Sequence, residues 1–180
     1  MTGMEETLET IGKTDATLLE LPAERFNQSQ KDLVRELVDK HGKAVIISVT
    51  RPGKKVLEEL TEAGIYEKDI SIIDTVTKTQ QKKVEDQKSI HYISNPSSLT
   101  EPSISLDKEL KSGGTVLLLD SVNSLLIHNK QRILKKFVHG VLTKSRLKDI
   151  PAVLLAAEGR LPEDLKADIA QLCDRTLTMD

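Results

Sequence analysis

Aromatic side chains are nearly missing: there is no tryptophan, and Phe26, Tyr66, Tyr92 and Phe137 are the whole Phe and Tyr complement. Stacking of nucleic-acid bases needs several aromatic rings on one face, so this sequence can hardly supply a base-stacking surface. Cysteine occurs once, at Cys173, which excludes an intrachain disulfide and a cysteine-built zinc site. Apolar runs such as residues 44–47 (AVII) and 116–119 (VLLL) are far too short to cross a bilayer. Excess charge is missing too. The 26 Lys and Arg nearly balance the 28 Asp and Glu, and the net charge of -2 gives no global field to hold nucleic acid or an anionic membrane. Residues 1–15 are polar and acidic, unlike a secretory leader. The sequence therefore reads as a cytoplasmic domain, and 180 residues leave room for one substantial core.

Glycine is present but not in useful places. A loop that cradles phosphates needs glycines so that several backbone N–H groups can turn toward one anion. The nine glycines form neither a GxxxxGK nor a GxGxxG pattern. Gly42-Lys43 leads into a predicted strand rather than a helix, which argues against a phosphate loop there.

What is there is an alternation of strands and helices. Residues 1–15 have little apolar content and are expected to be a flexible tail. Strands are expected at 17–21 (TLLEL), 43–49 (KAVIISV), 69–76 (DISIIDTV), 89–94 (SIHYIS), 115–120 (TVLLLD), 151–157 (PAVLLAA) and 174–179 (DRTLTM). The spacing of Phe26, Leu33, Val34, Leu37 and Val38 predicts a helix over 24–41, stopped by Gly42. Further helices are expected at 54–63, 104–111, 129–145 and 163–173. The stripe of the helix at 129–145 is Ile133, Leu134, Phe137, Val138, Val141 and Leu142. Residues 77–88 are polar without a stripe, either a solvated helix or a loop; residues 95–103, rich in Pro and Ser, are expected to be a loop. This order implies one domain over residues 16–180, a three-layer α/β/α sandwich around a mostly parallel sheet.

Ligands of such sheets sit beyond the C-terminal ends of the strands. Those ends are followed by PAERFNQSQ (22–30), TRPG (50–53), Asp120-Ser121 and Glu158-Gly159-Arg160. The first has no glycine, and Pro22 has no N–H to donate. Asp120, ending an apolar strand, is placed either to hold magnesium through water or to cap the next turn.

The ordered set IISVTRPGKKVLEELTEAGI (46–65), ISIIDT (70–75), SGGTVLLLDSVNSLL (112–126), IPAVLLAAEG (150–159) and ADIAQLCDRTLTMD (167–180) resembles the RecA-type ATPase superfamily, most of all its KaiC-like branch. The resemblance implies a RecA-like P-loop NTPase topology, with residues 17–38 in the place of the first strand, phosphate loop and first helix. Family members bind ATP through GxxxxGK[ST], and PAERFNQSQ stands in its place. Their catalytic glutamates normally follow the second strand, where Ser48-Val49-Thr50-Arg51-Pro52 has no carboxylate. A water aimed at a γ-phosphate would have no base there. What remains is a Walker B-like Asp120 followed by Ser121. The expectation is a non-catalytic domain without a cofactor, acting through a protein partner or self-association as a regulatory or scaffolding protein.

Two other readings compete. One is an atypical ATP-binding protein, with Arg25, Lys31 or Arg51 supplying positive charge and Asp120 the metal contact. The other is a nucleic-acid-binding module that uses the basic stretch 130–148, its contact face formed by Lys130, Arg132, Lys135, Lys136, Lys144 and Arg146. His41, His91, His128 and His139 lack metal-ligand spacing, Ser121 lacks a GxSxG frame, and Cys173 reads as a small buried apolar residue.

Overall fold

The structure is a computed structural model and describes residues 3–12, 15–95 and 97–179. Seven strands form one sheet: β1 (Ala16–Leu21), β2 (Ala44–Ser48), β3 (Ile70–Asp74), β4 (Ile90–Tyr92), β5 (Val116–Asp120), β6 (Ala152–Ala157) and β7 (Arg175–Thr178). Their spatial order is β4-β3-β2-β5-β6-β1-β7. Every neighbouring pair is parallel, so the sheet is wholly rather than mostly parallel.

Parallel strands need long crossovers, and helices supply them. They are α2 (Phe26–His41), α3 (Gly53–Glu62), α5 (Thr100–Lys111), α7 (Gln131–Leu147) and α8 (Glu163–Leu172), with the short α1 (Met4–Thr10), α4 (Thr77–Gln80) and α6 (Val122–Leu125). Side chains alternate between the faces of a strand. In β2, Ala44 and Ile46 join one apolar cluster with Leu33, Val34 and Leu37 of α2 and Val56 and Leu60 of α3. Val45 and Ile47 join another with Leu106 of α5, Leu134 and Val138 of α7 and Leu165 of α8. The central strands are therefore buried on both faces, which explains their continuous apolar runs.

Several segments differ from the sequence reading. The expected tail carries α1, with Leu8 and Ile11 buried against the α2 side of the sheet. Lys40 fastens it by donating to Leu8 O (2.8 Å) and Ile11 O (3.1 Å). Two buried apolar side chains in a polar segment are too few to give a readable stripe. The expected loop 95–103 ends early, because α5 begins at Thr100 and carries Pro102 in its first turn. A proline is tolerated there because the first N–H groups of a helix have no intrahelical acceptor. The polar stretch 77–88 is divided between the single turn of α4 and irregular chain. Ile133, counted into the α7 stripe, is 46% exposed. None of the helices among the described residues is long and apolar enough to cross a membrane.

Ile11→Ala tests the docking of α1. Removing a fully buried isoleucine should cost about 2–4 kcal/mol in a denaturant titration, whereas an undocked segment would leave the midpoint unchanged.

Candidate functional site

The C-terminal edge of the sheet is shaped by how β1 meets α2. Pro22 alone separates β1 from a 3-10 turn, Ala23–Arg25, that runs straight into α2. The early turns of α2 bring Ser29 and Gln30 against the sheet, and both are buried. Gln30 lies four residues after Phe26 and three before Leu33, which places it on the apolar face of the helix. A glutamine on that face must find polar partners.

It finds them in Asp120, at the end of β5, and in Arg51, after β2. The Gln30 side-chain amide donates to Asp120 Oδ2, and its Oε1 accepts from the Arg51 guanidinium. Arg51 also pairs with Glu59 of α3. The Ser48 hydroxyl donates to Arg51 O at 2.7 Å and fixes the turn that carries Arg51. The result is a chain of carboxylate, amide, guanidinium and carboxylate spanning β5, α2 and α3.

Asp120 is wholly buried, and its second oxygen, Oδ1, has no hydrogen-bond partner. Burial pushes its pKa up to about 6, against the opposing pull of Arg51 and the Gln30 hydrogen bond. Asp74, the corresponding residue at the end of β3, is just as buried but fully engaged. It accepts from Gly53 N (2.6 Å), Val76 N (2.7 Å), Thr77 N (2.8 Å) and Thr77 Oγ1 (2.5 Å). Asp74 thus holds together the turns after β2 and β3, a structural task for which the sequence reading did not single it out.

Ser121 follows Asp120 through a cis peptide bond and lies 2.8 Å, Oγ to Oγ, from Ser124. Asn123 accepts from Ala157 N at 3.0 Å, tying α6 to β6. A groove of about 290 Å³ lies over this edge, lined by Phe26, Asn27, Thr50, Arg51, Ser121, Asn123, Ser124 and Ala157. Of the three cations considered for a nucleotide, Arg51 lines the groove while Arg25 and Lys31 do not.

The six residues of the expected basic face are divided in use. Lys135 pairs with Asp168 (2.7 Å), Lys144 with Asp107 (2.9 Å), and Arg146 with Leu172 O (2.6 Å). These three tie α7 to α5 and α8. Lys130, Arg132 and Lys136 are exposed. Among the described residues no group of His, Cys, Asp and Glu is placed to hold a metal. Burial pushes the Cys173 thiol up to about 11 and keeps it protonated at neutral pH.

Asp120→Asn tests the electrostatics of this edge. The raised native pKa means the folded protein keeps a proton that the unfolded chain has released, so stability is lost as pH rises from about 4 through about 6. The asparagine variant should lose this dependence and gain up to about 2–3 kcal/mol over wild type at pH 7. Urea titrations across that range check it. A variant less stable at pH 7 would mean that the charge is needed to balance Arg51.

No family model and no curated protein matches the sequence. The fold does have relatives among solved structures. A KaiC-like protein from the hyperthermophilic archaeon Pyrococcus horikoshii OT3 superposes with a TM-score of 0.62 at 12% identity, over 88% of this chain and 69% of that one. At that identity the likeness concerns architecture: the chain has a RecA/KaiC-like α/β fold.

Proposed function

We propose that this chain is a non-catalytic RecA/KaiC-like domain, a regulatory or scaffolding protein of the cytoplasm that works through protein–protein contacts. The observation that carries the reading is the junction of β1 with α2. A phosphate cradle requires a stretch of flexible backbone between strand and helix. Here Pro22 is the single connecting residue before the helical turn, and it brings no N–H.

A second feature supports the same reading. Magnesium held with a nucleotide would need access to Asp120, which is wholly buried and whose Oδ2 is covered by the Gln30 amide. The turn after β2 presents Arg51 rather than a carboxylate, so no residue there is suited to activate water. The residues present do not fit a magnesium–triphosphate group.

For contacts, β7 stands at one end of the sheet and pairs only with β1 among the described residues, with Thr176 exposed and Arg175 paired to Asp15. Unpaired strand edges are ready templates for another chain. Self-association and pairing with a related subunit both fall within the proposal. The atypical ATP-binding reading keeps one point in its favour, the position of Arg51 on the groove beside Ser121.

Calorimetric titration with Mg-ATP separates the two. The proposal expects flat heats up to ~1 mM, the weak end of ordinary binding, together with association on sedimentation or a partner recovered by pull-down. Saturable heat that disappears in Asp120→Ala would establish a nucleotide site instead.

A further inference from the structure

The opposite, N-terminal edge of the sheet carries a feature that the Asp120 edge does not explain. In three adjacent parallel strands a lysine stands just before the first residue. Lys43 precedes Ala44 of β2, Lys68 lies two residues before Ile70 of β3, and Lys88 two before Ile90 of β4. The register pairs Ala44 with Ile70 and Ile72 with Ile90, so the three entry turns lie side by side. All three lysines line one pocket of about 480 Å³, with Glu67, Ile70, Ser71 and Ser89.

The charges of this pocket are not balanced from within. Lys68 and Lys88 are exposed and make no ion pair among the described residues; Lys68 only lies over the Tyr66 ring, 5.5 Å from its centre. Lys43 approaches a carboxylate, Glu109, at 3.8 Å. That carboxylate is turned inward, accepting the Ser71 hydroxyl at 2.5 Å and meeting His91 at 2.7 Å. Glu67, the acidic residue of the lining, accepts from Ser89 at 2.9 Å. Three ammonium groups thus face one concavity against a single lining carboxylate. Repulsion among like charges in a partly enclosed site favours a bound anion.

We propose that this pocket binds a small phosphomonoester, its phosphate held by Lys43, Lys68 and Lys88. A dianion matches the excess of positive charge, and lysines serve phosphate as point charges. The volume suits a ligand of sugar-phosphate size rather than an oligomer. Glu67 and the oxygens of Ser71 and Ser89 stand beside the lysines as acceptors for ligand hydroxyls. The inference is independent of the reading of Asp120, because the two sites lie at opposite edges of the sheet.

The test is calorimetric titration of the full chain with inorganic phosphate and with ribose 5-phosphate, at low ionic strength where exposed charges are least screened. Saturable binding of ribose 5-phosphate is expected, weakened at least ~10-fold in the double variant Lys68→Gln, Lys88→Gln. Both side chains are exposed, so the variant should fold, and circular dichroism checks that it does. Equal affinity for the two probes would overturn the monoester, leaving a site that reads phosphate alone; preference for the sugar phosphate would support the proposal. Absence of saturable heat from either probe up to ~10 mM, or unaltered binding in the double variant, would overturn the proposal.

Discussion

A single proline sets the character of the C-terminal edge of this sheet. Because Pro22 alone joins β1 to the 3-10 turn, α2 starts its path at the strand end instead of after a loop. Its second turn is thereby carried across the edge, and Gln30 reaches Asp120. Everything else there follows from satisfying a buried amide. Its donor is taken by Asp120, its acceptor by Arg51, and the remaining guanidinium charge by Glu59. A buried polar group left alone costs several kcal/mol, whereas a connected network of them fixes one arrangement.

The network is unequal along its length. Arg51 and Glu59 share opposite charges, but Asp120 offers one oxygen to an amide and leaves the other without a partner. Asp74 shows what a settled acid looks like in the same layer, with four donors about it. For Asp120, burial without enough donors pushes the pKa up. The network also gives the acid at the end of β5 a structural partner in Gln30.

Much of the fold was legible because parallel strands buried on both faces write themselves as apolar runs. AVIIS, VLLLD and AVLLAA could hardly be anything else. Turns governed by local chemistry were legible as well, such as Gly42 at the end of α2 with a φ of 98°. Less legible were elements with few apolar residues. Leu8 and Ile11 dock α1 without forming a stripe, α6 is one turn long, and Pro102 disguises the start of α5. At the site, Asp120 was visible as a strand-end acid, but its partner was missed. The signal existed: Gln30 sits in register with Phe26, Leu33 and Leu37, and a polar residue on such a face asks for a buried partner. The pairing of Lys135, Lys144 and Arg146 was not legible, since their acids lie on α8, on α5 and just before β7, far away in sequence. The lysines before β2, β3 and β4 gather only through the sheet order, which a linear reading does not supply.

The central claim is that Asp120 is an enclosed, amide-bound acid rather than an open metal ligand. The most direct measurement follows its carboxyl carbon by NMR as pH is varied, with and without Mg-ATP. The account predicts a midpoint near the raised value of about 6, the same in both titrations. A midpoint near that of an ordinary aspartate, or one displaced downward when Mg-ATP is added, would contradict it.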